Sequence, residues 1–151
     1  MNYDMEETNI IQNNMIELYE EFTGFKLPKD YKLFLQLTNG GKPKKRYFLY
    51  KNKQDDGSLL SILFGFNENK YRNIIRYYNN TKSTIPNNMV PIGMDQGSNM
   101  ILLSVKGQDY GKIYFADHET ETENFNNLIL LADSFDEFIN GLKDEAELDT
   151  N

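Results

Sequence analysis

Hydrophobic positions in the first forty residues recur at helical spacing. Ile11, Met15, Leu18 and Phe22 fall at i, i+4, i+7 and i+11, which predicts an amphipathic helix over Asn9 to Phe22 with these four on its buried face. Gly24 is a natural stop, because it tolerates a left-handed cap. Pro28 suits the opening of a second helix, where its missing N–H is no loss. Tyr31, Phe34 and Leu35 supply that helix's buried stripe, and Asn39-Gly40-Gly41 ends it and turns the chain.

The period then changes. Arg46 to Lys51 and Leu59 to Phe66 read as strands, with the polar stretch Asn52 to Ser58 as the hairpin loop between them. Asn67 to Asn80 reads as a third helix, with Tyr71, Ile74, Ile75 and Tyr78 on one side. Three more strands follow, at Val90 to Met94, Asn99 to Val105 and Lys112 to Asp117. The links between them are short and contain glycine, which favours an antiparallel meander. Pro91 lacks an N–H, so its strand is expected at an edge. His118 to Asn126 is a polar loop, and Leu128 to Ala132 a short apolar strand. Ser134 and Glu137 have the spacing of a capping box, opening a last helix that turns Phe135, Phe138, Ile139 and Leu142 inward. There is no internal repeat and no linker. The order predicts one α+β domain, with a mainly antiparallel sheet of about five to six strands flanked by helices. Its core is expected over roughly residues 9 to 146, with frayed ends.

A chain of 151 residues is enough for one hydrophobic core. The absence of cysteine rules out disulfides, Cys-based zinc sites and a Cys nucleophile. No apolar run reaches the length of a membrane span, and the acidic start Met1 to Glu7 lacks the features of a signal peptide, so a soluble cytoplasmic protein is expected. The net charge of −7 disfavours direct binding of nucleic acid and favours a basic partner. The charge is uneven. Lys42 to Lys82 holds ten bases and three acids, whereas Lys112 to Asn151 holds two bases and eleven acids. Either the two segments are solvated faces of one globule, or the acidic one is a docking surface for a cationic partner.

Candidate chemistry is sparse. The one histidine, His118, stands between Asp117 and Glu119, but neighbours on a strand point to opposite faces and do not converge on a metal. Gly40-Gly41-Lys42 lacks the upstream glycine and the following Ser or Thr of a phosphate loop. No G-x-S-x-G is present, and no spacing singles out a pair of carboxylates for acid–base work. Lys42, Lys44, Lys45 and Arg46 are interleaved with Tyr47, Phe48 and Tyr50, but in so acidic a chain they read as a solvated hairpin rather than a nucleic-acid platform. No catalytic residue, metal site or cofactor is therefore expected.

Four ordered blocks carry a family resemblance. Leu27-Pro28-Lys29-Asp30-Tyr31-Lys32-Leu33-Phe34-Leu35 followed by Asn39-Gly40-Gly41 resembles the N-terminal signature of the SUKH superfamily, the relatives of the fungal cell-wall synthesis regulators. Pro91 to Asn99 is similar to that family's central motif, Gly111 to Glu119 to the next, and Ser134 to Ile139 to the start of its closing helix. Ser98 departs from the pattern, where a shorter Gly-Asn or Gly-Asp pairing is usual. The resemblance implies an α+β fold with a sheet flanked by helices and no catalytic activity. Bacterial members are similar to immunity proteins of polymorphic toxin systems, often paired with nuclease toxins, and fungal members to regulatory scaffolds. A bacterial immunity protein that neutralises a cognate toxin by direct contact is the leading expectation, and a non-catalytic scaffold or peptide-binding module the alternative. Because nuclease sites are electropositive, an acidic docking surface is expected. Asp95, Asp117, Glu119, Glu121 and Glu123 are its candidate acids, with Tyr110 and Tyr114 as aromatic anchors.

Overall fold

The computed structural model describes residues 3–117 and 128–148. Its centre is a six-stranded sheet in which every neighbouring pair is antiparallel. The strands are β3 (Tyr47–Tyr50), β4 (Lys53–Leu63), β5 (Met89–Asp95), β6 (Met100–Ser104), β7 (Ile113–Ala116) and β8 (Leu128–Ala132), and they lie side by side in chain order. The sheet curls until its two edges touch: the Lys51 N–H donates to the Leu130 carbonyl at 3.1 Å. Across that curl the Phe48 ring lies 5.7 Å from Phe115. The expected α+β architecture is thus present, as a meander that nearly closes and so leaves little open edge.

Helices α1 (Met15–Thr23), α2 (Lys29–Thr38) and α4 (Phe135–Asn140) contribute to the main core with one face of the sheet. Tyr31, Phe34 and Leu35 of α2 are fully buried, as their spacing predicted. Phe34 is the hub, with Phe135 of α4 at 4.8 Å and Tyr3 at 5.1 Å. Ser134 caps α4, its Oγ accepting from the Glu137 N–H at 3.0 Å. Glu137 reaches back to the Asp133 N–H rather than to that of Ser134, so the box is closed one residue early. The opposite face of the sheet holds a smaller cluster of Leu102, Ile85 and Met89.

Asn39-Gly40-Gly41 is a structural joint. Asn39 takes a left-handed conformation at φ 49° to end α2. Its side chain accepts from the Phe66 N–H at 2.8 Å and donates to the carbonyls of Ile10 and Phe66, both at 3.2 Å. At Gly40, with φ +79°, a Cβ would stand 2.6 Å from the carbonyl oxygens of Leu63 and Phe64, so no other residue fits.

Four expectations are corrected. Helix α1 starts at Met15, not near Asn9, and buries Ile16, Tyr19 and Glu20, while Leu18 and Phe22 face outward. The choice of face is tertiary: Tyr19 packs edge-on against Phe66 and Tyr78, and Glu20 accepts from the Leu27 N–H at 2.7 Å. The stretch Asn52 to Ser58 is not a loop, because β4 begins at Lys53 and a tight turn joins it to Tyr50. The third helix is shorter: a 3-10 turn at Lys70–Arg72 precedes α3 (Ile74–Thr81), which Asn73 caps by accepting from the Arg76 N–H. Strand β5 is central, not an edge. Pro91 itself pairs only with Leu102 of β6, because contact with the β4 side ends at Ile92, whose carbonyl accepts from the Phe64 N–H at 2.8 Å.

At the N-terminus, β1 (Met5–Glu7) pairs with β2 (Lys42–Pro43), and Arg72 forms an ion pair with Glu7. A short α5 (Glu145–Leu148) follows α4, and its Glu147 pairs with Lys45.

Candidate functional site

Part of the charge asymmetry along the chain is cancelled in space. Lys51 of the basic segment meets Asp133 at 3.0 Å and Glu137 at 2.6 Å in the acidic one, and Lys45 meets Glu147. These lysines hold the carboxyls of Asp133, Glu137 and Glu147 below the usual range, chiefly through their hydrogen bonds. Asp133, Glu137 and Glu147 are therefore structural partners of the chain on either side of β3.

A different acidic group stands at one end of the sheet, around Tyr50. Its ring is half-buried, 5.5 Å from Phe115. Burial pushes the Tyr50 hydroxyl pKa up, and the nearby carboxylates of Asp56, Asp117 and Asp95 push it the same way. Asp56 comes from β4, Asp95 from the end of β5, and Asp117 directly follows β7. Alternation along the strands puts Phe48 and Tyr50, Asp56 and Ser58, and Phe115 and Asp117 on one side. Among the described residues neither Asp55 nor Asp56 forms an ion pair.

Asp95 has a distinct duty. It is 4 % exposed, and its carboxylate accepts from the Ser58 hydroxyl at 2.7 Å and from the N–H groups of Gly97 and Asn99 at 3.0 and 2.8 Å. It is the buried clamp of the turn from β5 to β6. Within that turn Ser98 is left-handed at φ 65°, which is the geometry its departure from the family pattern left open.

The two tyrosines expected beside these acids lie elsewhere. Tyr110 sits in the turn from β6 to β7, at the opposite end of those strands from Asp95 and Asp117, and its hydroxyl donates to the Lys26 carbonyl at 2.7 Å. Tyr114 points to the other face of β7 from Asp117, beside the smaller cluster, and donates to Asp109 at 3.1 Å. Glu119, Glu121 and Glu123, with His118, lie outside the described residues. So the fold brings Asp95 and Asp117 together and separates Tyr110 and Tyr114 from them. It adds Tyr50 and Asp56, and Asp55 on the groove side of β4, which sequence reasoning missed, since the polar run Gln54 to Ser58 carries no alternation that marks a strand.

A groove of about 1070 Å³ adjoins this end of the sheet. Tyr47, Leu49, Leu59 and Leu148 line it together with Asp55, Asp56 and Glu147 and one base, Lys143. Apolar walls beside carboxylates can take the stem and the charged head of a lysine or arginine. Among the described residues no three His, Cys, Asp or Glu side chains come together as a metal site, and no helix is long and apolar enough to cross a membrane.

In a comparison with protein families, the model of the SMI1 / KNR4 family (SUKH-1) matches residues 11–141, most of the chain, and the chain belongs to that family. No curated protein matches it.

Proposed function

Because the chain belongs to the SMI1 / KNR4 family (SUKH-1), whose members are generally non-catalytic immunity or regulatory proteins, we propose that it is an immunity protein that neutralises a cognate toxin, a nuclease, by direct contact in the cytoplasm. The observation that carries this reading is the acidic end of the sheet, where the carboxylates of Asp56, Asp117 and Asp95 lie near the half-buried Tyr50, next to a groove of mixed apolar and charged lining. A nuclease must attract phosphate, so its active-site surface is electropositive. An acidic surface is steered to it and covers it. Asp56 and Asp117 are the docking acids on the Tyr50 side, continued in the sequence by Glu119, Glu121 and Glu123, and Asp55 is the docking acid on the groove side. Asp95 holds the turn beside them, and Tyr50 on its side of the sheet and Tyr47 on the groove side take the anchoring part first assigned to Tyr110 and Tyr114. The groove receives basic side chains of the toxin.

The test is co-expression with the toxin-like protein encoded beside the gene, scored by survival and co-purification. Rescue with a stoichiometric complex supports immunity. Continued killing while both proteins are stably expressed rejects it in favour of a regulatory scaffold. Reversal of Asp55, Asp56 and Asp117 to Lys should then weaken the complex about a hundredfold and flatten its salt dependence. Unchanged affinity would move the docking surface elsewhere.

A further inference from the structure

Exposed apolar side chains are not scattered over this molecule. Of seven large ones exposed among the described residues, five lie on the N-terminal segment and the outer sides of α1 and α2: Ile10, Leu18, Phe22, Leu33 and Leu37. Leu18, Phe22 and Leu37 are 54 %, 56 % and 51 % exposed. On each helix the apolar pair is spaced four residues apart, so Leu18 with Phe22 and Leu33 with Leu37 form two outward stripes. The helices are neighbours, joined by the ion pair of Lys32 with Glu20 at 3.5 Å and flanking a groove lined by Ile16, Glu17 and Gln36.

The charges beside the stripes differ in sign. On α1, Glu17 and Glu21 immediately precede Leu18 and Phe22, and both are exposed. On α2, exposed Lys29 stands one turn before Leu33. A face of one sign would fit a partner of the other. This face carries acid on one helix and base on the next, beside matching apolar stripes, which makes it complementary to itself.

We propose that the outer face of α1 and α2 is the interface of a homodimer. A two-fold axis over the groove between the helices sets α1 of one copy against α2 of the other. Leu18 and Phe22 then meet Leu33 and Leu37, and Glu17 and Glu21 face Lys29 of the second copy. At a net charge of −7 two copies repel each other in other orientations, so this matched pairing also selects the register. The acidic end of the sheet stays outside the interface, giving a dimer with two free acidic ends.

Sedimentation equilibrium of the full chain, from about 1 to 200 µM, tests the proposal. The wild type should approach the mass of two chains. Glu17→Lys with Glu21→Lys, and separately Lys29→Glu with Gln36→Glu, should each weaken association by about tenfold or more. Mixing the two variants should restore the dimer, since each α1 again meets an α2 of opposite charge, and that rescue also shows that both variants fold. A wild type that stays at the mass of one chain throughout overturns the proposal. So does a dimer indifferent to both reversals, or one that mixing fails to restore. The result stands apart from the toxin reading, because it requires no toxin.

Discussion

The acidic end of the sheet and the outer face of α1 and α2 are two surfaces built in different ways from the same kinds of residue. At the sheet end, carboxylates from three strands converge on one tyrosine, and the arrangement hangs on a buried clamp, Asp95. On the helices, the pattern is local: residues four apart on one helix form each stripe without help from the rest of the chain. The first surface is a product of strand pairing and should be lost with it. The second should persist wherever the two helices fold. A surface of one sign suits speed and choice of a charged partner, whereas a mixed apolar surface suits a fixed geometry.

The strongest way to break the comparison is to open the main core on which both regions rest. Phe34 is fully buried and touches the rings of Tyr3, Tyr31 and Phe135. Phe34→Ala should cost about 3–5 kcal/mol, read by denaturant unfolding, and weaken both surfaces together. Next in size is Asp95→Ala, which strands the Ser58 hydroxyl and the N–H groups of Gly97 and Asn99 and should cost about 2–3 kcal/mol. Hydrogen exchange should rise in the turn from β5 to β6 and leave α1 and α2 protected. Equal loss of protection in the helices would mean that the two surfaces are one cooperative unit.

A smaller effect, of opposite sign, is expected at Asp136. Burial, then the neighbouring Asp30, raise its carboxyl pKa, and burial, then Asp136, raise that of the Tyr3 hydroxyl. The folded state therefore holds the Asp136 proton more tightly than the unfolded chain. The stability this contributes is present below the ordinary aspartate pKa and is lost as pH rises through the folded value. Asp136→Asn should accordingly be more stable than the wild type at neutral pH, with the difference shrinking on acidification, as thermal melts across pH would show. Smallest of all, Phe22→Ser should leave the stability of the isolated chain within about 0.5 kcal/mol of the wild type, although Phe22 is a large aromatic. A larger loss would mean that its edge-on contact with Tyr78, at 6.1 Å, fastens α1 to α3.

The sequence by itself determined what is decided within a few residues. Pro28 and Asn39 bound α2, Ser134 caps α4, and the short glycine-bearing links after β5 and β6 make a meander, because backbone torsion and local hydrogen bonds settle each. It also placed Tyr31, Phe34 and Leu35 inside, since α2 has one clear inward stripe. Helix α1 has two competing apolar stripes, Ile16 with Tyr19 and Leu18 with Phe22, and periodicity cannot rank them. Only the tertiary structure chose, by offering Phe66 and Tyr78 to Tyr19. The same holds for the candidate site. Asp56, Asp95 and Asp117 lie far apart in the chain, and no local rule states which strands will be neighbours or how far a sheet will curl. Strand pairing put Asp95 opposite Leu60, and the curl brought Phe115 and the adjoining Asp117 round to Tyr50. Alternation about β7 sent Tyr114 to the other face, which is why residues near one another in the chain do not share a surface.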